Sequence, residues 1–150
     1  MYVVGWHALV AQVGDSRAYL WRQGTLKQVT RDQTLAQVLI DSGVPPAETS
    51  RVRHILTNSL GGKENLIIPD VGHFPLQDGD RLLLCTDGLT DEISATDMTE
   101  LLSRRSSPQA TCDALVQLAL NRGGKDNITV VMAEFTAPSP PERQALTGSH

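Results

Sequence analysis

Gly79-Asp80-Arg81-Leu82-Leu83-Leu84-Cys85-Thr86-Asp87-Gly88-Leu89-Thr90-Asp91 is the stretch that decides the fold. Leu82 to Cys85 run apolar without alternation, which predicts a strand covered on both faces. Such a strand lies inside a layered protein. It runs into a carboxylate, Asp87, with Gly88 beside it. A strand end holds a carboxylate rigidly at a sheet edge, and a neighbouring glycine lets backbone or ligand approach closely. A charge placed there adds little to solubility, so Asp87 is a candidate for chemistry.

Towards the N-terminus, Gln77-Asp78-Gly79 reads as a polar turn between predicted strands Leu66 to Pro75 and Arg81 to Thr86. Asp78 and Asp80 read there as solvated turn residues. Arg17 to Arg22 and Thr25 to Val29 predict a hairpin across Gln23-Gly24. Tyr2-Val3-Val4 and Ala8 to Val13 predict two short strands around a Gly5-Trp6-His7 turn. Thr34 to Ser42 carries Leu35, Val38 and Leu39 at helical spacing, and Gly43 stops it. Pro45-Pro46 opens an irregular or helical stretch that Gly61-Gly62 closes.

Towards the C-terminus two helices are predicted. Thr96 to Arg105 turns Met98, Leu101 and Leu102 inward. Pro108 to Arg122 is capped by Ser107 and ended by Gly123, with Cys112, Leu115, Val116 and Ala119 as its buried stripe. Ile128 to Phe135 is the last predicted strand. Residues 136–150 carry Pro138, Pro140 and Pro141 and predict a disordered tail behind a domain of residues 1–135. Hairpin-joined strands with segregated helices give an α+β class with a mainly antiparallel sheet, not a doubly wound one.

The chain has 150 residues, enough for one domain with a core. Its net charge is −4, from 13 basic and 17 acidic residues, so no field attracts nucleic acid or an anionic membrane. Aromatic residues make up only 4%, too few for a platform that stacks bases. Cys85 and Cys112 form no C-x-x-C pair, which argues against a thiolate zinc site. Both read as small core residues of a reducing compartment. With no basic leader and no spanning apolar stretch, the cytoplasm is the expected location.

Two further motifs share the grammar of the first. Val13-Gly14-Asp15-Ser16-Arg17 and Gly123-Gly124-Lys125-Asp126-Asn127-Ile128-Thr129 each set an aspartate among small or turn-forming residues beside a strand. Taken singly, Gly-Asp-Ser is common turn chemistry, and Asp126-Asn127 can be a helix-to-strand turn. If the carboxylates converge, two of them ~4 Å apart repel by roughly 4 kcal/mol at an effective dielectric near 20. Such a cluster needs a cation or shifted pKa values. All-oxygen ligands suit magnesium or manganese rather than zinc. His7, His54, His73 and His150 share no spacing and read as surface or packing residues. Ser16 has no partner histidine in its motif, so a serine nucleophile is not indicated.

In this order the motifs resemble the protein phosphatase 2C family, the metal-dependent serine/threonine phosphatases, over roughly residues 2–135. The bacterial variant is similar at Gly14-Asp15-Ser16-Arg17-Ala18-Tyr19-Leu20, Thr30-Arg31-Asp32-Gln33, Arg53-His54-Ile55-Leu56-Thr57-Asn58, Gly79 to Asp91, and Gly124-Lys125-Asp126-Asn127-Ile128-Thr129. The resemblance implies an antiparallel β-sandwich flanked by helices. It implies two Mg2+ or Mn2+ ions sharing a bridging water that attacks phosphorus. Asp87 and Asp126 would ligate one of these ions, and Asp15 with Asp87 a weaker third one. Asp91, Asn127 and Gly88 would support these ligands. The segment from about Leu35 to Arg53 looks like the family's flap beside the cleft. The implied substrate is a phosphoprotein, with a serine/threonine kinase or that kinase's targets as candidate partners in signalling.

Two departures stand out. Gln33 replaces the family's usual histidine after Asp32, expected to tune packing only. No Asp-Gly-x-Gly-Gly occurs, the motif whose aspartate bridges the two metals in the family. The chain is therefore expected to be the C-terminal portion of a catalytic domain whose N-terminal part is missing, and inactive alone. In that case the strand of Leu9, Val10, Ala11 and Val13, and that of Leu82 to Cys85, would lose their cover. The alternative is a non-catalytic, truncated phosphatase-like binding module. A haloacid-dehalogenase-type phosphatase fits worse, because Cys85 stands where that chemistry needs a nucleophilic aspartate.

Overall fold

In the computed structural model, which describes residues 1–61 and 67–137, each short strand is set by a local signal. Gly5, at φ 54°, turns β1 (Tyr2–Val4) into β2 (His7–Gln12), so His7 already belongs to the strand. In β2 burial alternates strictly, with Ala8, Val10 and Gln12 inside. Gln23 and Gly24 both take positive φ, 47° and 85°. A two-residue hairpin whose twist matches its strands needs that conformation, and it joins β3 (Arg17–Arg22) to β4 (Thr25–Gln28).

The strands form two antiparallel sheets, ordered β1-β2-β5 and β4-β3-β6-β7, where β5 is Asp70–Pro75, β6 Arg81–Cys85 and β7 Val130–Glu134. Between them lie Ala8, Leu20, Leu76 and Leu82, with Val3, Val29, Phe74 and Phe135. Outside the four-stranded sheet, Tyr19, Trp21, Leu83 and Cys85 pack under α2 (Asp87–Thr90), α3 (Ala95–Ser103) and α4 (Pro108–Asn121). Leu82 thus faces one core and Leu83 the other, which is why the run lacks alternation. The α+β sandwich with flanking helices is the expected architecture. Helix α1 (Leu35–Asp41) is capped by Thr34, whose hydroxyl accepts from Gln37 N. Two single 3-10 turns, Pro46–Glu48 and Ser50–Val52, follow it. Among the described residues no helix is long and apolar enough to cross a membrane.

Several expectations change. Strand β6 is not left uncovered: it sits between β3 and β7, with Leu82 and Leu83 buried. Cover is lacking instead on the outward face of the three-stranded sheet, where Tyr2, Val4, Leu9 and Val71 are exposed. The Gln77-Asp78-Gly79 turn closes no hairpin, because β5 and β6 belong to different sheets. Asp80 is buried rather than solvated, and Arg22 holds it. The fifth strand begins at Asp70, and the expected start at Leu66 lies outside the described residues, as do Gly62 and residues 138–150 of the predicted tail. The last strand begins at Val130, not Ile128. The inward stripe of α4 is Thr111, Leu115 and Ala119, with Cys112 and Val116 only half-buried. Thr111 tolerates burial because its hydroxyl donates to Ser107 O at 3.1 Å.

Helix α3 begins with a capping box. Asp97 accepts from Ser94 N at 2.7 Å, while Ser94 Oγ accepts from Asp97 N at 3.2 Å. Arg122, at the end of α4, donates to both Asp97 oxygens at 2.7 Å. That guanidinium first, and the Ser94 cap second, hold the Asp97 carboxyl well below the usual carboxylate range. A carboxylate depressed in the folded state stabilises above its unfolded value of about 3.9 and loses that contribution as pH falls towards the folded value. Asp97→Asn is therefore expected to lower the melting temperature by a few degrees at pH 7, with the gap narrowing below about pH 4. Thermal scans of both proteins across that range check it; a gap constant with pH refutes it.

Candidate metal-binding site

Strand register brings the three acidic motifs to one end of the four-stranded sheet. Arg17, the first residue of β3, pairs with Cys85, the last of β6, and Cys85 pairs with Val130, the first of β7. Asp15 and Asp87 each lie two residues beyond that row, and Asp126 lies four before Val130.

Asp87 opens α2, a single helical turn that the apolar run does not announce. Its Oδ1 accepts from Gly88 N at 2.9 Å. Thr86, missed in the sequence reading, fixes this turn against the third motif. Thr86 Oγ1 donates to Asn127 O at 2.9 Å and accepts from Thr129 N at 3.1 Å, and Thr86 N donates to Thr129 O at 3.2 Å. Asp126 Oδ1 accepts from Asn127 N at 2.6 Å, so Asn127 holds that carboxylate through its backbone amide rather than its side chain. Gly88 is required by this contact, since a Cβ there would lie 2.5 Å from Asn127 O. Gly88→Ala must push the two loops apart and is expected to cost about 2 kcal/mol or more, read as a lower urea midpoint. An unchanged midpoint would mean that the loops separate freely.

Asp15 sits on a turn held from two sides. Gly14, at φ 103°, donates to Gln33 Oε1 at 2.9 Å, and its carbonyl accepts from Gln33 N at 2.9 Å. The buried Gln12 side chain donates to Gly14 O at 3.1 Å and to Ser16 O at 2.9 Å. Gln33 thus does more than tune packing: it hydrogen-bonds the residue that precedes Asp15. Burial pushes the Asp15 carboxyl up, and the negative charge of Asp87 adds to it, followed by that of Asp32. Arg17 offsets part of this charge by donating to both Asp32 oxygens, at 2.9 Å from Nε and 2.6 Å from Nη2.

Asp15, Asp32, Asp87 and Asp91 line one cleft of about 390 Å³, whose lining also includes Arg53 and His54. Arg53 Nη2 lies 3.1 Å from Asp91 Oδ2, tying the segment after the 3-10 turns to the end of α2. Exposed on both sides, this pair contributes at most about 1 kcal/mol. Asp126 is not in the cleft wall. Among the described residues no group of three or more His, Cys, Asp or Glu is placed to hold a metal ion. The fold therefore joins Asp15 to Asp87 in one cleft and sets Asp126 on the adjoining loop, without closing a three-carboxylate cage. Two carboxylates with nearby carbonyl and hydroxyl oxygens fit a hard cation such as Mg2+ or Mn2+.

Residues 4–136 match the family described as stage II sporulation protein E (SpoIIE). The chain is 37% identical over 129 residues to the serine/threonine phosphatase stp of Listeria welshimeri, covering 84% of this chain and 51% of that protein. It is 38% identical over 128 residues to the serine/threonine protein phosphatase PstP of Mycobacterium tuberculosis, covering 83% and 24% respectively. The solved catalytic domain of PstP in complex with two manganese ions superposes with a TM-score of 0.79 at 37% identity, covering 90% of this chain and 56% of that one. The chain spans about half the length of these relatives, or less.

Proposed function

Because this chain belongs to the SpoIIE and protein phosphatase 2C-type family, we propose that it supplies the Asp15, Asp87 and Asp126 side of a metal-dependent protein serine/threonine phosphatase. The observation that carries this reading is the shared cleft of Asp15 and Asp87, with the Asp126-Asn127 backbone packed on Gly88. Asp87 and Asp126 would hold one Mg2+ or Mn2+, and Asp15 with Asp87 would hold a further, weaker one. When bound, such ions polarise phosphoryl oxygens and lower the pKa of water. The chain's own residues place the donors. Thr86 and Gly88 fix Asp87 against the 126–129 loop, the Asn127 amide orients Asp126, and Gln12 and Gln33 hold the Asp15 turn. Asp91, paired with Arg53, lines the same cleft and would support these ligands.

The substrate is a phosphoserine or phosphothreonine protein, and a serine/threonine kinase or its targets are the expected partners. Both cysteines are free, which suits a cytoplasmic setting. A non-catalytic binding module is the second reading, favoured by the absence of a three-carboxylate group among the described residues. The experiment that separates them is hydrolysis of p-nitrophenyl phosphate with Mn2+. It compares residues 1–150 with the same chain joined to the part of the relatives' catalytic domain that it does not match. No Mn2+-dependent turnover in the joined protein would discard the enzymatic reading.

A further inference from the structure

His7 and His73 meet away from the acidic cleft, whose lining includes neither. In the β2–β5 ladder Leu9 pairs with His73 and His7 with Pro75. His7 and His73 are thus diagonal neighbours on one face, within reach of long side chains. That face is the outward one, because Ala8, Val10 and Gln12 fill the inward positions of β2. His7 Nδ1 lies 3.1 Å from His73 Nε2, with the ring planes within 9° and the centroids 5.0 Å apart. Both residues are exposed, so an ion reaches them without any opening of the sandwich.

A separation of 3.1 Å between two imidazole nitrogens fits either of two occupants. One is a shared proton. The other is a shared cation: two nitrogens about 2.0–2.1 Å from one ion, at about 90–110°, lie about 2.9–3.4 Å apart. Exchanging proton for ion changes the nitrogen separation by only tenths of an ångström, while each exposed ring tilts to aim its lone pair at the ion. Imidazole pairs suit zinc, nickel and copper, whereas oxygen clusters suit magnesium and manganese. We propose that His7 and His73 form a two-histidine chelate for a borderline divalent cation such as Zn2+ or Ni2+, separate from the carboxylate cleft. Among the described residues no third His, Cys, Asp or Glu joins them, so water completes the coordination.

The test is calorimetric titration of residues 1–150 with Ni2+ at pH 7.5. A second ligand on the same scaffold makes the second bond intramolecular, so losing one is expected to weaken binding about tenfold to a hundredfold. His7→Gln and His73→Gln should each show that loss, and the double variant should bind no Ni2+ at all. Asp87→Asn should bind Ni2+ like the parent, and Mg2+ should not compete. Circular dichroism of the histidine variants should match the parent, since both side chains are exposed. Three results overturn the proposal: no binding at millimolar Ni2+, unchanged affinity in His7→Gln, or affinity lost in Asp87→Asn.

Discussion

Asp87→Asn, in this chain joined to the remainder of its relatives' catalytic domain, is expected to lower Mn2+-dependent hydrolysis of p-nitrophenyl phosphate by about a thousandfold or more. Removal of one electrostatic element from a preorganised site typically costs about a hundredfold to a thousandfold. Asp87 is shared by both proposed ion positions, and groups that act as a unit fail together rather than additively. The substitution spares the fold. The amide oxygen of asparagine can still accept from Gly88 N, the structural bond Asp87 makes at 2.9 Å. Circular dichroism and melting should therefore stay near those of the parent while turnover collapses. Residues 1–150 alone are expected to show little turnover, since the chain contains no Asp-Gly-x-Gly-Gly. Robust activity of residues 1–150 alone, abolished by Asp87→Ala, would mean that other residues here replace the missing ligands. Retained activity in Asp87→Asn would remove Asp87 from the centre.

Asp80→Ala is expected to cost about 3 kcal/mol of folding stability, a large loss for a single turn residue. The Asp80 side chain is 1% exposed and accepts from Arg22 Nε at 2.9 Å, Arg22 Nη2 at 2.7 Å and Gln77 N at 2.7 Å. Truncating one partner of a buried pair strands the other, typically at about 3–5 kcal/mol. The Arg22 side chain is 28% exposed, so water relieves part of this and the lower end applies. Against a total of about 5–15 kcal/mol the effect is large. Urea unfolding at constant slope measures it. A loss under about 1 kcal/mol would show that Arg22 rehydrates freely and that the pair does not fasten the paired ends of β3 and β6.

The contrast between Asp80 and Gln23-Gly24 shows what the sequence could carry. The hairpin was legible because its signal is local: two turn residues between two strand-forming runs. So was α4, from Ser107 and Pro108 at its start to Gly123, φ 139°, at its end. Asp80 has the same local setting as any turn aspartate. Its partner Arg22 lies 58 residues away, and only the pairing of β3 with β6, which sets Trp21 opposite Arg81, brings them together. His7 and His73, 66 residues apart, were illegible for the same reason. At the acidic cleft the candidate carboxylates Asp15 and Asp87 were readable from their strand-end setting. Their supports were not, because Thr86, Gln12 and Gln33 act through hydrogen bonds that depend on which loops meet. In the α4 stripe Leu115 and Ala119 are as expected. Thr111 was passed over for Cys112 and Val116 because apolar ranking puts cysteine and valine above threonine and cannot see that the Thr111 hydroxyl bonds Ser107 O.

The pairing of Arg17 with Cys85 has a consequence for how the protein can go wrong. Both acidic turns start two residues past that rung, so their spacing is inherited from the ladder. A slip of one residue shifts a strand by about 3.3 Å and turns its side chains to the opposite face. A chain misaligned in this way would keep most of its strand and helix content, and a far-ultraviolet spectrum would hardly notice. Its carboxylates, however, would no longer meet. Cation uptake is thus a checksum on the threading of the sandwich, able to report miscopied chains in a preparation that ordinary spectroscopy passes as native.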